Sequence, residues 1–146
     1  MLKEIEIKGY KSLKDVTLAL RPINILIGAN GVGKSNFITF FSLVNNIYEQ
    51  NLQGYSMACG ADSLLYYGLK HTTQIEGSLD FGNNAYAFKL SPAKDGSLYI
   101  AEEKNVVKNG VICDGISIHL PETKMENEKV QSVFGVIYMD TLEEMK

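Results

Sequence analysis

Ile23-Asn24-Ile25-Leu26-Ile27-Gly28-Ala29-Asn30-Gly31-Val32-Gly33-Lys34-Ser35-Asn36-Phe37 runs through three local patterns in succession. Residues 23–27 are apolar at nearly every position, which predicts a strand covered on both faces within an α/β sheet. Gly28–Ser35 matches G-x-x-x-x-G-K-[ST]. From Lys34 onward the apolar period lengthens. Phe37, Phe40, Phe41, Val44 and Ile47 fall at i, i+3, i+4, i+7 and i+10, the stripe of an amphipathic helix. The segment therefore reads strand, glycine-rich loop, helix.

That order has a specific chemistry. Glycines reach backbone angles that a Cβ forbids, so successive N–H groups can turn towards one point. A helix starting near Gly33 directs its free N–H groups and the positive end of its dipole at the same point. Lys34 adds a point charge suited to β- and γ-phosphates, and is the candidate catalytic residue. The Ser35 hydroxyl suits Mg²⁺, a hard cation that prefers oxygen ligands. The predicted phosphate-binding set is Gly28, Asn30, Gly31, Val32, Gly33, Lys34, Ser35 and Asn36. Composition alone produces the pattern in roughly one chain in two hundred of this length. The flanking strand and helix lower that further.

Working outward, Glu4-Ile5-Glu6-Ile7-Lys8 alternates as a strand with one wet face. Gly9-Tyr10-Lys11-Ser12 interrupts it, and Val16, Leu18 and Leu20 alternate after it. Residues 50–73 read as loop, with a short helix at Asp62–Tyr67. Beyond them lies an antiparallel meander. Ile75, Gly77, Leu79 and Phe81 alternate, then Tyr86, Phe88 and Leu90, then Leu98 and Ile100, with turns at Gly82-Asn83-Asn84 and Lys94-Asp95-Gly96. Asn109-Gly110 between Val106-Val107 and Val111-Ile112 signals a hairpin. Ile116, Ile118 and Leu120 form a further strand. The expected division is a P-loop core over 1–50, a meander over 71–120, and a loop with a terminal apolar run over 121–146.

The 146 residues, 45% hydrophobic and 21% charged, suffice for one core. The net charge of −3 offers no overall basic excess for nucleic acid. Cys59 and Cys113 form no C-x-x-C pair and read as buried thiols. No stretch reaches the roughly 20 apolar residues of a membrane span, and the start lacks a signal-peptide h-region. The expected compartment is the cytoplasm.

Ile5–Tyr10, Lys11-Ser12-Leu13, Ile23–Ile27 and Gly-Ala-Asn-Gly-Val-Gly-Lys-Ser-Asn-Phe together resemble the amino-terminal end of ABC-type AAA family ATPases, the RecF-, SMC- and OLD-like proteins. Gly60–Gly68 is similar to a stretch in bacterial ATPases of this kind. The resemblance implies a P-loop NTPase core beside an antiparallel β-subdomain, ATP and Mg²⁺ as ligands, and Lys11 and Ser12 close to the nucleotide. A solvated turn is the alternative for Lys11-Ser12. The resemblance further implies that Walker B, the signature motif and a switch histidine lie in a distant carboxy-terminal half. It also implies that two ATPase heads close around ATP, as a homodimer or with a completing region. DNA enters by the same resemblance alone.

Phosphoryl transfer also needs an acid for the Mg²⁺ shell and a group that orients water. Val136-Ile137-Tyr138-Met139-Asp140 is the nearest approach to Walker B, and Thr141 stands where a catalytic glutamate would follow. Three readings stay open: an ATPase portion completed elsewhere, a nucleotide-regulated binding module, and a compact GTPase- or kinase-like enzyme using Asp140. His71 and His119 have no partners at metal or triad spacing. Tyr66, Tyr67, Tyr86, Phe88 and Tyr99 read as core and sheet packing rather than a base-stacking platform, because Arg21 is the one arginine in the chain.

Overall fold

The computed structural model describes residues 1–107 and 111–115. Asn109-Gly110, the strand expected at Ile116–Leu120, His119, the 121–129 loop and the run ending at Asp140 lie outside them.

The elements are β1 (Glu4–Tyr10), β2 (Leu13–Ala19), α1 (Lys34–Tyr48), α2 (Leu52–Cys59), α3 (Ala61–Leu64), β3 (Ile75–Asp80), β4 (Asn84–Pro92), β5 (Leu98–Val107) and β6 (Val111–Gly115). The strands form one sheet in the order β2-β1-β3-β4-β5-β6, with every pairing antiparallel. The alternation of the sequence sets the faces. Ile5, Ile7, Ile75, Leu79, Tyr86, Phe88, Leu90 and Ile100 are buried beneath the helices. α1 lays Phe40, Leu43, Val44 and Ile47 onto that face. Phe40 is the hub: its ring meets Tyr10 edge-on at 5.3 Å and lies nearly parallel to Phe88 at 6.1 Å. β5 and β6 pair antiparallel, with Val107 opposite Val111.

The opposite face is wet. A row of alternating charge crosses it: Asp15, Lys8, Glu76, Lys89 and Glu102 occupy paired positions from β2 to β5. Glu6, Asp15 and Glu76 hold the Lys8 ammonium above its ordinary range. Lys89 pairs with Glu102 at 3.1 Å. Exposed pairs add little stability, yet opposite charges across strands favour this register.

Several expectations are corrected. Residues 23–27 belong to no strand, and Ile23, Ile25 and Ile27 are 82%, 78% and 89% exposed. An apolar run becomes a covered strand only beside partner strands, and none of the described strands pairs with it. The sheet among the described residues is accordingly antiparallel throughout, as the expected β-subdomain requires. Gly9 does not end β1, which continues to a buried Tyr10 paired with Leu13. α2 occupies part of the expected 50–73 loop. This helix is held by tertiary contacts: Leu52 and Ser56 are fully buried, and the Leu98 N–H donates to Ser56 Oγ at 2.8 Å. The short helix is α3, four residues long, and from Leu65 the chain runs extended to bridge Tyr10. Cys59 is exposed rather than buried. So is Tyr67, at 74%.

Candidate functional site

The glycine-rich loop meets α1 at Gly33, whose φ of 105° lies in the left-handed region that favours glycine. Space imposes the same residue: a Cβ there would sit 2.9 Å from Ser12 Oγ and 3.0 Å from Leu13 Cδ2. Helical hydrogen bonding begins with the Phe37 N–H donating to Gly33 O at 2.9 Å. No side chain caps the helix start, and no acidic residue stands in its first turn. The first N–H groups, which no helix can satisfy internally, are thus left to an outside acceptor with no local carboxylate competing for them.

Lys34 folds back over this mouth. Its Nζ donates to Gly28 O at 2.5 Å and to Ala29 O at 2.7 Å. Both acceptors are neutral carbonyls of the loop, so the ammonium is held in place without being neutralised. Gly28 through Val32 are exposed, as is Ser35. A Cβ on Gly31 would meet nothing within 4 Å, so the space over the loop is open.

The β1–β2 turn leans on the same helix start. Asn36 Nδ2 donates to Ser12 Oγ at 2.8 Å. One turn further along, Thr39 Oγ1 donates to Asn36 O at 3.1 Å and accepts from Tyr10 OH at 3.3 Å, with Lys11 Nζ 3.5 Å away. The structure therefore brings Ser12 to the first turn of α1, while Lys11 lies over the Tyr10 ring at 5.5 Å, beside the second turn. Tyr10 and Thr39 complete this brace, and local sequence pattern did not single them out. Tyr55 packs behind them. Burial pushes its phenol above the ordinary range, with Tyr10 and Cys59 adding to the effect.

No group of three or more His, Cys, Asp or Glu side chains among the described residues could hold a metal ion. A cation at the loop would take Ser35 and the oxygens of its own ligand, an arrangement suited to Mg²⁺, which keeps waters and phosphates in its shell. Among the described residues no helix is long and apolar enough to cross a membrane.

The family model described as AAA ATPase domain matches residues 1–131. The chain belongs to the AAA ATPase domain family. A stretch of 44 residues is 36% identical to the OLD nuclease of Thermus scotoductus, covering 30% of this chain and 8% of the nuclease. A solved chain from a study of ATP-driven dimerization and DNA-stimulated activation of SMC ATPases superposes with a TM-score of 0.47 at 22% identity, over 77% of this chain and 71% of that one. The resemblance read from the loop and its flanks, to the amino-terminal end of ABC-type AAA ATPases, is borne out. Membership of this family supports an ATP-binding, ATPase-like role for the chain.

Proposed function

We propose that this AAA ATPase domain holds the triphosphate of Mg-ATP at Gly28–Ser35, as part of a cytoplasmic ATPase that hydrolyses it once a further region supplies the missing acids. The observation that carries this is the uncapped first turn of α1 beneath a lysine bonded only to neutral loop carbonyls. In this reading the N–H groups of Gly31 to Asn36 face the phosphate oxygens. Lys34 exchanges its carbonyl partners for β- and γ-phosphate oxygens, at little cost because both sets are oxygen acceptors. Ser35 and the phosphates hold Mg²⁺, which neutralises the crowded negative charge. Ser12, fixed by Asn36, lines the same mouth, and Lys11 stands behind it.

The completing region is supported by surface. Ile23, Ile25, Leu26 and Ile27 lead directly into the loop with their side chains exposed. Contiguous exposed apolar area of this kind marks an interaction site. Strands from a further polypeptide or from a second ATPase head would pair with 23–27 and bring the Walker B acid. The test is a pair of measurements on the purified chain. Mg-ATP raises its unfolding temperature, as a ligand of the folded state must, while ATP turnover stays negligible. Substantial turnover by this chain alone would remove the need for completion. Absence of any stabilisation would remove the site.

A further inference from the structure

The loop after α3 presents an aromatic side chain that the core does not use. Tyr67 is 74% exposed and has a φ of 53°, uncommon for a bulky residue. Such a conformation persists only where the surroundings impose it, and here they do. The Leu69 N–H donates to Asp62 Oδ1 at 2.8 Å, and Thr72 Oγ1 donates to Tyr66 O at 2.5 Å. The N–H groups of His71 and Thr72 both donate to Gly68 O, at 3.1 and 3.0 Å. Tyr66 supports the Tyr67 ring edge-on at 4.5 Å, and His71 stands 6.2 Å away.

This loop is tied to the phosphate site. The Tyr66 N–H donates to Gly9 O, and the Lys11 N–H donates to Leu64 O, both at 2.9 Å. The turn so fastened is the one whose Ser12 accepts from Asn36 on the first turn of α1. One hydrogen-bonded frame thus joins the cradle to an exposed ring fixed in a strained backbone. A nucleotide anchored by its triphosphate carries its base away from the anchor, towards a surface of its own. A flat π-face braced by a second ring, with Lys70 and His71 next in sequence, suits a heteroaromatic ring attached to phosphates.

We propose that Tyr67 is a stacking platform for the purine base of the nucleotide whose phosphates occupy Gly28–Ser35, an inference that rests on that phosphate site. Base stacking of this kind is worth about 1–3 kcal/mol, or roughly a 5- to 150-fold change in affinity. The experiment is calorimetric titration of the full chain with Mg-ATP and, separately, with magnesium tripolyphosphate, which has the phosphates and no base. Wild type binds ATP more tightly than tripolyphosphate. Tyr67→Asn, which tolerates the left-handed backbone but lacks the π-face, weakens ATP at least 5-fold and leaves tripolyphosphate unchanged. Tyr67→Phe keeps the wild-type preference. Equal affinity of wild type for the two ligands overturns the platform while leaving the phosphate site standing, as does a Tyr67→Asn variant that binds ATP like wild type. A Tyr67→Asn variant that loses both ligands equally shows a structural role and also overturns it. Failure of wild type to bind either ligand overturns both readings.

Discussion

Gly77 is where the sheet, α1 and the aromatic core come closest. It pairs with Ile7 on one side and Phe88 on the other. A Cβ there would lie 2.4 Å from Phe88 Cζ, 2.7 Å from its Cε1 and 2.9 Å from Phe40 Cζ. Carbon atoms in contact sit about 3.5–4.0 Å apart, so Gly77→Ala drives the Phe88 ring back by about 1 Å. Phe88 is 2% exposed and Phe40 is fully buried, so neither ring has free space to enter. Overpacking of this kind costs about 1–3 kcal/mol. Alanine returns about 0.5–1 kcal/mol because it loses less backbone entropy than glycine. The net expectation centres on a loss of about 1 kcal/mol, or about 3 °C in melting temperature for a domain of this size. Urea unfolding followed by far-ultraviolet circular dichroism measures it. Combining Gly77→Ala with Phe88→Leu restores room, so the double variant is less damaged than the sum of the singles by at least about 0.5 kcal/mol. A Gly77→Ala chain as stable as wild type, or strictly additive effects, refutes the claim that the rings rest directly on this glycine.

Two further outcomes follow from single side chains. Ser56→Ala strands the buried Leu98 N–H, which now donates to Ser56 Oγ at 2.8 Å; it lowers stability by about 1–3 kcal/mol in the same urea assay, and a neutral result contradicts that role. Asp95 accepts from the Ser97 hydroxyl at 2.6 Å and the Ser97 N–H at 3.0 Å, and these bonds, the hydroxyl first, hold its carboxyl below the ordinary carboxylate range. A depressed folded-state value stabilises above the unfolded-state value near 4 and is lost as pH falls through the folded one. The deficit of Asp95→Asn against wild type is therefore present at neutral pH and disappears in acid, and a deficit that grows on acidification contradicts the assignment.

How much could be read from the residues alone follows from what local pattern encodes. Ile5 and Ile7, Ile75 and Leu79, and Tyr86, Phe88 and Leu90 alternate because each strand has one buried face, and all are buried as the alternation requires. The 3.6-residue stripe of α1 was equally plain, with Leu43 joining it. Residues 23–27 misled because a doubly apolar run reports what a segment can pack against, not whether a partner strand stands beside it. α2 was hidden by Gly54 and Ser56, poor markers of a helix, since what holds it is a bond to Leu98 far along the chain. At the site, the loop motif was legible from spacing. The brace of Tyr10, Ser12, Asn36 and Thr39 was not, because its contacts join residues 24 and 29 positions apart. The exposure of Tyr67 escaped for a related reason: aromatic content suggests burial, and only the positive φ and the bonds around Gly68 turn that ring outward.

The most direct test of the phosphate cradle is calorimetric titration of Mg-ATP into the wild-type chain and into Lys34→Ala, both verified as folded by circular dichroism. Lys34 makes its two hydrogen bonds within an exposed loop and lies outside the core, so its removal leaves the fold intact. Saturable binding by wild type that vanishes in Lys34→Ala is the predicted result. Equal binding by both chains, or none by wild type, contradicts the account.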